Sequence, residues 1–294
     1  MTAPVGYDPD FLGLPVPLPS APATAPVTML PFTHFTVALQ VARRLAVATG
    51  VNIDGADLVD VDRGDDWHLD PRVPADQQTG PEVYADNDLD RGHLVRRGDP
   101  VWGNPVVAAR ANVDTFTYVN AAPQAAAFNQ GDTLWSGLED YILDHARTYA
   151  QRLSVFTAPV LADDDPAYRG VRIPRRFWKV VTWSTSTAHH AATIDTPEVL
   201  AATGYLLDQS TELAEGDLQR RTTSDGDAPP PPLGAYLTFQ VPIADIAALT
   251  GLGLGPLIAA DLAPAPVTAG AVEPRTAART GRWRRLQSIR DLQV

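Results

Sequence analysis

From His34 to Gln40 the chain reads HFTVALQ, a short run dense in apolar and β-branched residues, which predicts a strand. A second apolar run follows from Arg44 to Ile53 and stops at Asp54-Gly55. The two runs predict a hairpin, with an Ala-rich helix as the competing reading of the second. Residues 54–92 are rich in Asp, Gly and Pro and predict a long ordered loop. The stretch DTFTYV, Asp114 to Val119, predicts another strand. A helix is the clearest element: between Asp132 and Leu153, apolar residues recur at Trp135, Leu138, Ile142, Ala146, Tyr149 and Leu153. That is the stripe of an amphipathic helix. Glu139 sits beside the stripe, one turn after Trp135, so its carboxylate is paired, at the core's edge, or aimed at a site.

Ser154 to Pro159 and Phe177 to Trp183 predict further strands, His189 to Ile194 and Gly204 to Asp208 weaker ones. Residues 210–234, with Pro229 to Pro232, read as a surface loop. Tyr236 to Val241 reads as a strand and Ile243 to Thr250 as a short helix. Strands interleaved with few helices indicate an α+β fold around a mixed or antiparallel sheet. The pattern divides the chain into a Pro-rich arm (1–30), one main domain (31–265) and an Arg-rich tail (266–294).

Composition narrows the class. At 294 residues with 45% hydrophobic and 20% charged positions, the chain is an ordinary globular one. No run of eighteen apolar residues predicts a membrane span. The proline-rich start lacks the basic and apolar regions of a Sec signal, so the expectation is a cytoplasmic protein or one exported by another route. Cysteine is absent, which excludes disulfides and thiolate metal sites. The net charge of -12 argues against a polyanionic partner, but its distribution does not. Arg169, Arg172, Arg175, Arg176 and Lys179 form one run without acids, and Arg275, Arg279, Arg282, Arg284, Arg285 and Arg290 another. Among the 23 basic residues 22 are arginine, a bias that genomic base composition commonly produces.

Three small motifs carry little. Gly251, Gly253 and Gly255 follow a helix, lack dinucleotide spacing and read as a helix stop. His189 and His190 are adjacent, so on a strand they point to opposite faces and do not readily share an ion. Ser184 to Thr187 has no nucleophile-elbow context.

The segment Asp88 to Gly103, DLDRGHLVRRGDPVWG, differs. His93 follows a glycine and stands among Asp90, Arg91, Arg96, Arg97 and Asp99. An imidazole in such a cluster suits a base working beside a phosphate. Residues 118–143 then bring Asn120, Gln124, Asn129, Gln130 and the helix bearing Glu139.

Together, Asp90-Arg91-Gly92-His93, Asn120 with Pro123-Gln124, Asn129-Gln130-Gly131, Trp135 and Leu138-Glu139 resemble the DNA/RNA non-specific endonucleases of the ββα-metal class. Arg63 to Asp70 is similar to that family's upstream arginine element, with Arg72 as a rival arginine. Trp178 to Val181 is similar to a core strand. The resemblance spans roughly residues 30–260.

What the resemblance implies is a metal-dependent endonuclease cutting phosphodiesters of DNA and RNA with little regard to sequence. His93 would be the general base that deprotonates water. Asn129 would be the one direct protein ligand of Mg²⁺, with Mn²⁺ as a substitute. Glu139 would hold a metal-bound water. Arg63 and Arg91 would stabilise charge on the phosphorane, and Asn120 would be a nearby polar contact. Such an enzyme also implies an inhibitor protein, a switch or export to protect its cell, and leaves room for a homodimer. Two other readings stand beside it: a catalytically silent nucleic-acid-binding module, and a phosphodiesterase of small nucleotides.

Overall fold

Strands β1 (Thr28–Phe32) and β2 (Phe35–Gln40) pair antiparallel from Phe32↔Phe35 outward, so Thr33 and His34 alone make the turn. His34 adopts φ +65°, its ring stacks on Trp102 at 3.5 Å, and Nδ1 meets the Pro100 carbonyl. β2 continues through a 3₁₀ turn into β3 (Leu45–Asp54), the expected hairpin. The computed structural model describes residues 6–125, 134–185, 198–210, 213, 237–263 and 283–286.

Strands β6 (Arg152–Val160), β9 (Arg176–Ser184), β10 (Leu200–Asp208), β11 (Leu237–Val241) and β12 (Arg284–Arg285) complete an antiparallel sheet. Its order is β1-β2-β3-β6-β9-β10-β11-β12. Alternation along these strands loads both faces with apolar side chains. One face presents Phe35, Val37, Ile53, Val155, Phe177 and Val181 to helix α3 (Leu134–Tyr149), which buries Leu138, Ile142 and Ala146 against it. The other face presents Phe156, Trp178 and Leu206 to α4 (Ile243–Thr250), α5 (Gly255–Ala259) and the N-terminal segment. Each large side chain fully buried in these layers contributes about 1.5–3 kcal/mol of hydrophobic stabilisation. α4 ends where Gly251 takes φ +71° and its N–H returns to the Ala247 carbonyl, the helix stop expected of the GLGLG stretch.

The proline-rich start packs as part of this second layer. Leu12 and Val16 are buried, Ser20 bridges Gly253, and β1 runs across residue 30, the expected border of the arm. Of the expected tail, Arg284 and Arg285 join the sheet edge beside β11. No described helix is long and apolar enough to cross a membrane.

Two expectations are corrected. DTFTYV is not a strand: α2 (Pro105–Thr115) runs into it, and a 3₁₀ turn over Tyr118–Asn120 follows. Asn104 starts α2 by accepting from Val106 N–H and Val107 N–H, with Pro105 as first residue. The cap thereby outweighs the β-propensity of the helix's last residues. The long loop of 54–92 also ends early. Short helix α1 (Pro81–Tyr84) and strand β4 (Leu89–His93) form within it, because β4 finds a partner 28 residues on, in β5 (Ala121–Ala125). The β4–β5 ribbon and α3 lie against the same sheet face. Two short strands, β7 (Ala167–Tyr168) and β8 (Val171–Arg172), form a separate hairpin. The candidate strand His189–Ile194, its His189-His190 pair and most of the 210–234 loop lie outside the described residues.

Candidate active site

The β4–β5 ribbon carries the DRGH segment as a strand, in register Asp90↔Gln124, Arg91↔Pro123, Gly92↔Ala122 and His93↔Ala121. The backbone on either side of Gln124 is tied down: Gln209 accepts from the Ala125 N–H and donates to the Pro123 and Pro174 carbonyls. Beside the ribbon opens a pocket of about 760 Å³ lined by Arg63, Asp65, Trp67, Asp90, Arg91, His93, Arg96, Arg97, Gln124 and Glu139.

His93 closes one wall. Its ring lies 4.7 Å from Trp67 and 5.2 Å from Phe116, edge-on to the latter. Nε2 is buried without a hydrogen-bond partner. Burial, then the charges of Arg63, Arg97 and Arg91, push the imidazole down from 6.5 to about 3. The ring is therefore neutral at physiological pH, with a lone pair available in a wall of cations.

The arginines are held differently. Arg91 lies over the Trp67 ring at 5.3 Å, with Asp65 at 3.9 Å. Arg96 donates to the Glu139 carbonyl and pairs with Asp140, so it pins α3 to the site. Arg97 donates to the Val61 carbonyl and Asn112 Oδ1, which ties down the segment leading to Arg63. Arg63 itself is exposed at the mouth. Arg72 pairs with Asp70 and lies over Phe32, away from the pocket.

Glu139 reaches the pocket from α3, and its Oε1 accepts from Lys179 Nζ at 3.1 Å. Behind it, Asp99 is 4% exposed. Burial raises the Asp99 carboxyl to about 7 against the opposing charges of Lys179 and Arg96.

Of the residues the sequence singles out, His93, Arg91, Arg63 and Glu139 converge on this one pocket. Asn120 does not line it. It is fully buried behind β4, its Oδ1 accepting from Val95 N–H and its Nδ2 donating to the Val95 and Thr115 carbonyls. Its amide thus holds the turn after His93. Asn129 lies outside the described residues. The Arg169–Lys179 run does not form a second wall: Arg169 bonds the Glu82 and Ala85 carbonyls, while Arg172 and Arg175 bond around Asp164 and Asp165. Sequence reasoning assigned no role to Trp67, Gln124 or Lys179. All three sit inside the quoted motifs and were readable only as neighbours of the chemistry.

Among the described residues no cluster of three His, Cys, Asp or Glu side chains could hold a metal. The pocket's oxygen donors, Asp65, Asp90, Gln124 and Glu139, are spread along its walls. A hard cation that keeps most of its waters fits such a wall, whereas a dehydrated ion needing a protein cage does not.

Comparison with known proteins agrees in one direction. The family described as DNA/RNA non-specific endonuclease matches residues 19–260. The chain is 38% identical over 268 residues to the uncharacterized protein y4fB of Sinorhizobium fredii (strain NBRC 101917 / NGR234). That match covers 84% of this chain and 38% of the relative, so the chain spans under half of that protein's length. Its fold is similar to a chain in the crystal structure of the EndoG/EndoGI complex, which concerns the mechanism of EndoG inhibition. The TM-score is 0.52 at 19% identity, covering 76% of this chain and 84% of that one.

Proposed function

The chain belongs to the DNA/RNA non-specific endonuclease family, and on that premise we propose that its β4–β5–α3 pocket hydrolyses phosphodiester bonds in DNA and RNA by a metal-dependent route. The observation that carries the reading is the buried, unpartnered Nε2 of His93 in a pocket walled by arginines.

In this reading Nε2 of His93 accepts a proton from the attacking water. Because burial, and then the surrounding cations, keep the ring neutral, its lone pair is free at neutral pH. Arg63 and Arg91 face the non-bridging oxygens, where charge grows as the phosphorane forms. Glu139 orients a water through the oxygen that Lys179 does not hold. Mg²⁺, or Mn²⁺ in its place, would be held by Asn129 and by waters that Glu139 steadies, and would supply positive charge to the phosphoryl and leaving 3′-oxygens. Phosphate contacts carry no base information, so cleavage is nearly independent of sequence. An inhibitor protein is the matching proposal for how a cell tolerates the activity, a homodimer the proposal for its assembly.

The test is nicking of supercoiled plasmid, and cleavage of an RNA of equal length, with Mg²⁺ and with EDTA. Metal-dependent cleavage of both is expected. Binding without cleavage would leave a silent nucleic-acid-binding module, and cleavage of dinucleotides alone a small-nucleotide phosphodiesterase.

A further inference from the structure

Lys179 is the one lysine in a chain whose other 22 basic residues are arginine. It is not on the surface, where a lysine costs nothing: it is 1% exposed, in the middle of β9, paired across the sheet with Thr157 and Tyr205. Its neighbours at alternate positions, Phe177 and Val181, belong to the apolar face that receives α3, so Lys179 points into that layer too. There its Nζ donates to Glu139 Oε1 at 3.1 Å. Its charge is also the largest opposing the buried Asp99 carboxyl.

Burying an ammonium group is costly, and replacing a buried ion pair by well-packed apolar residues is often neutral or stabilising. A charge kept in the centre of the sheet points to a duty other than stability. The residue type is telling as well. An ammonium is a compact charge with three donors, able to serve two carboxylates from a narrow space, whereas the planar guanidinium fork needs room and a bidentate partner. A chain that uses arginine everywhere else keeps lysine where a fork does not fit.

We propose that Lys179 is the positioning residue of this site: anchored in a central strand of the sheet, it grips one oxygen of the Glu139 carboxylate and so fixes the other toward the pocket where metal-bound water is oriented. The proposal rests on the nuclease reading for the identity of what Glu139 orients. It deepens that reading by naming the group that sets Glu139's geometry. Glu139 sits on α3, whose apolar stripe packs against the sheet; Lys179 ties the working carboxylate to the sheet itself. The buried Asp99 carboxyl also feels the charge of Lys179.

The experiment uses the full chain and five variants: Lys179→Met, Asp99→Asn, Asp99→Asn with Lys179→Met, Glu139→Gln, and Glu139→Gln with Lys179→Met. Mn²⁺ affinity is read by electron paramagnetic resonance and turnover by plasmid nicking. Lys179→Met alone strands two carboxylates and can lose the fold, so the double variant with Asp99→Asn, which strands only Glu139, decides. Expected is a loss of about 10–100-fold in Mn²⁺ affinity or turnover, the usual effect of removing a group that orients a metal's surroundings. The loss should persist in the double variant relative to Asp99→Asn, and Lys179→Met should add nothing in the Glu139→Gln background. A double variant equal to Asp99→Asn in both readouts overturns the proposal, as do Lys179→Met and Glu139→Gln losses that multiply. If the wild type nicks no plasmid while Mn²⁺ affinity still falls with Lys179, the nuclease reading fails and the positioning role stands.

Discussion

Gln124 lies across Gly92 so closely that a Cβ on Gly92 would sit 2.1 Å from the Gln124 carboxamide carbon. The glycine between Arg91 and His93 is therefore what lets a buried glutamine cross the ribbon and reach the pocket wall. Gly92→Ala should displace the Gln124 side chain, which is 3% exposed. A stability loss of about 1–3 kcal/mol is expected, as for other overpacked interiors, together with lower turnover. Thermal melts and plasmid nicking on the same sample check it; an unchanged melting temperature would mean Gln124 has another rotamer within easy reach.

His93→Ala should lower turnover by a factor of about 10² to 10⁴, the usual share of general base catalysis. DNA affinity should change little, because the ring contributes a lone pair and not a charge. Near-wild-type nicking by this variant would remove the base assignment.

The pH dependence follows from the same ring. Burial and three arginines hold His93 at about 3, below its unfolded value of 6.5. A depressed value means the unfolded chain takes up the proton first, so this contribution to stability is complete above about pH 6.5 and is lost as pH falls toward 3. For catalysis the acid limb of kcat/KM should lie well below pH 6.5. Ring resonances of His93 followed by NMR should stay those of the neutral form through pH 5. A titration centred near 6.5 would show that neither burial nor the arginine wall acts on it.

Asn129→Ala should lose activity through lost metal, and raised Mg²⁺ or Mn²⁺ should restore part of it, because a cation with mostly water ligands still binds weakly. Activity measured across a metal titration decides. A variant with the wild-type metal requirement would remove Asn129 from the ligand shell.

Salt should separate the arginines. Arg63, at the pocket mouth, should touch phosphate, so Arg63→Gln should make the salt dependence of DNA affinity shallower by about one unit of slope. Arg175 is bound to Asp164 and Asp165 away from the pocket, so neutralising Arg175 with Arg176 should leave the slope unchanged. Affinity titrations with Ca²⁺ replacing Mg²⁺ check both. A steeper effect from the second pair would move the DNA path to that side.

The β2–β3 hairpin, β6, β9, the amphipathic stripe of α3 and the stop of α4 were all determined locally. Each depends on a short-range pattern: an apolar alternation, a 3.6-residue period, or a glycine able to take positive φ. His93, Arg91, Arg63 and Glu139 were singled out as candidates by motif and spacing, and the fold brings the four to one pocket. Tertiary structure decided what depends on distant partners. DRGH is a strand only because Ala121–Ala125 lies beside it, and α2 displaces an expected strand through the Asn104 cap. Arg63 and not Arg72 faces the pocket because Asp70 captures the latter. Asn120 is a fastener of the turn because two backbone carbonyls and an N–H surround it. Lys179 meets Glu139 across 40 positions of sequence. No local pattern encodes that meeting, since a strand period says which face a side chain takes and nothing about which helix covers it.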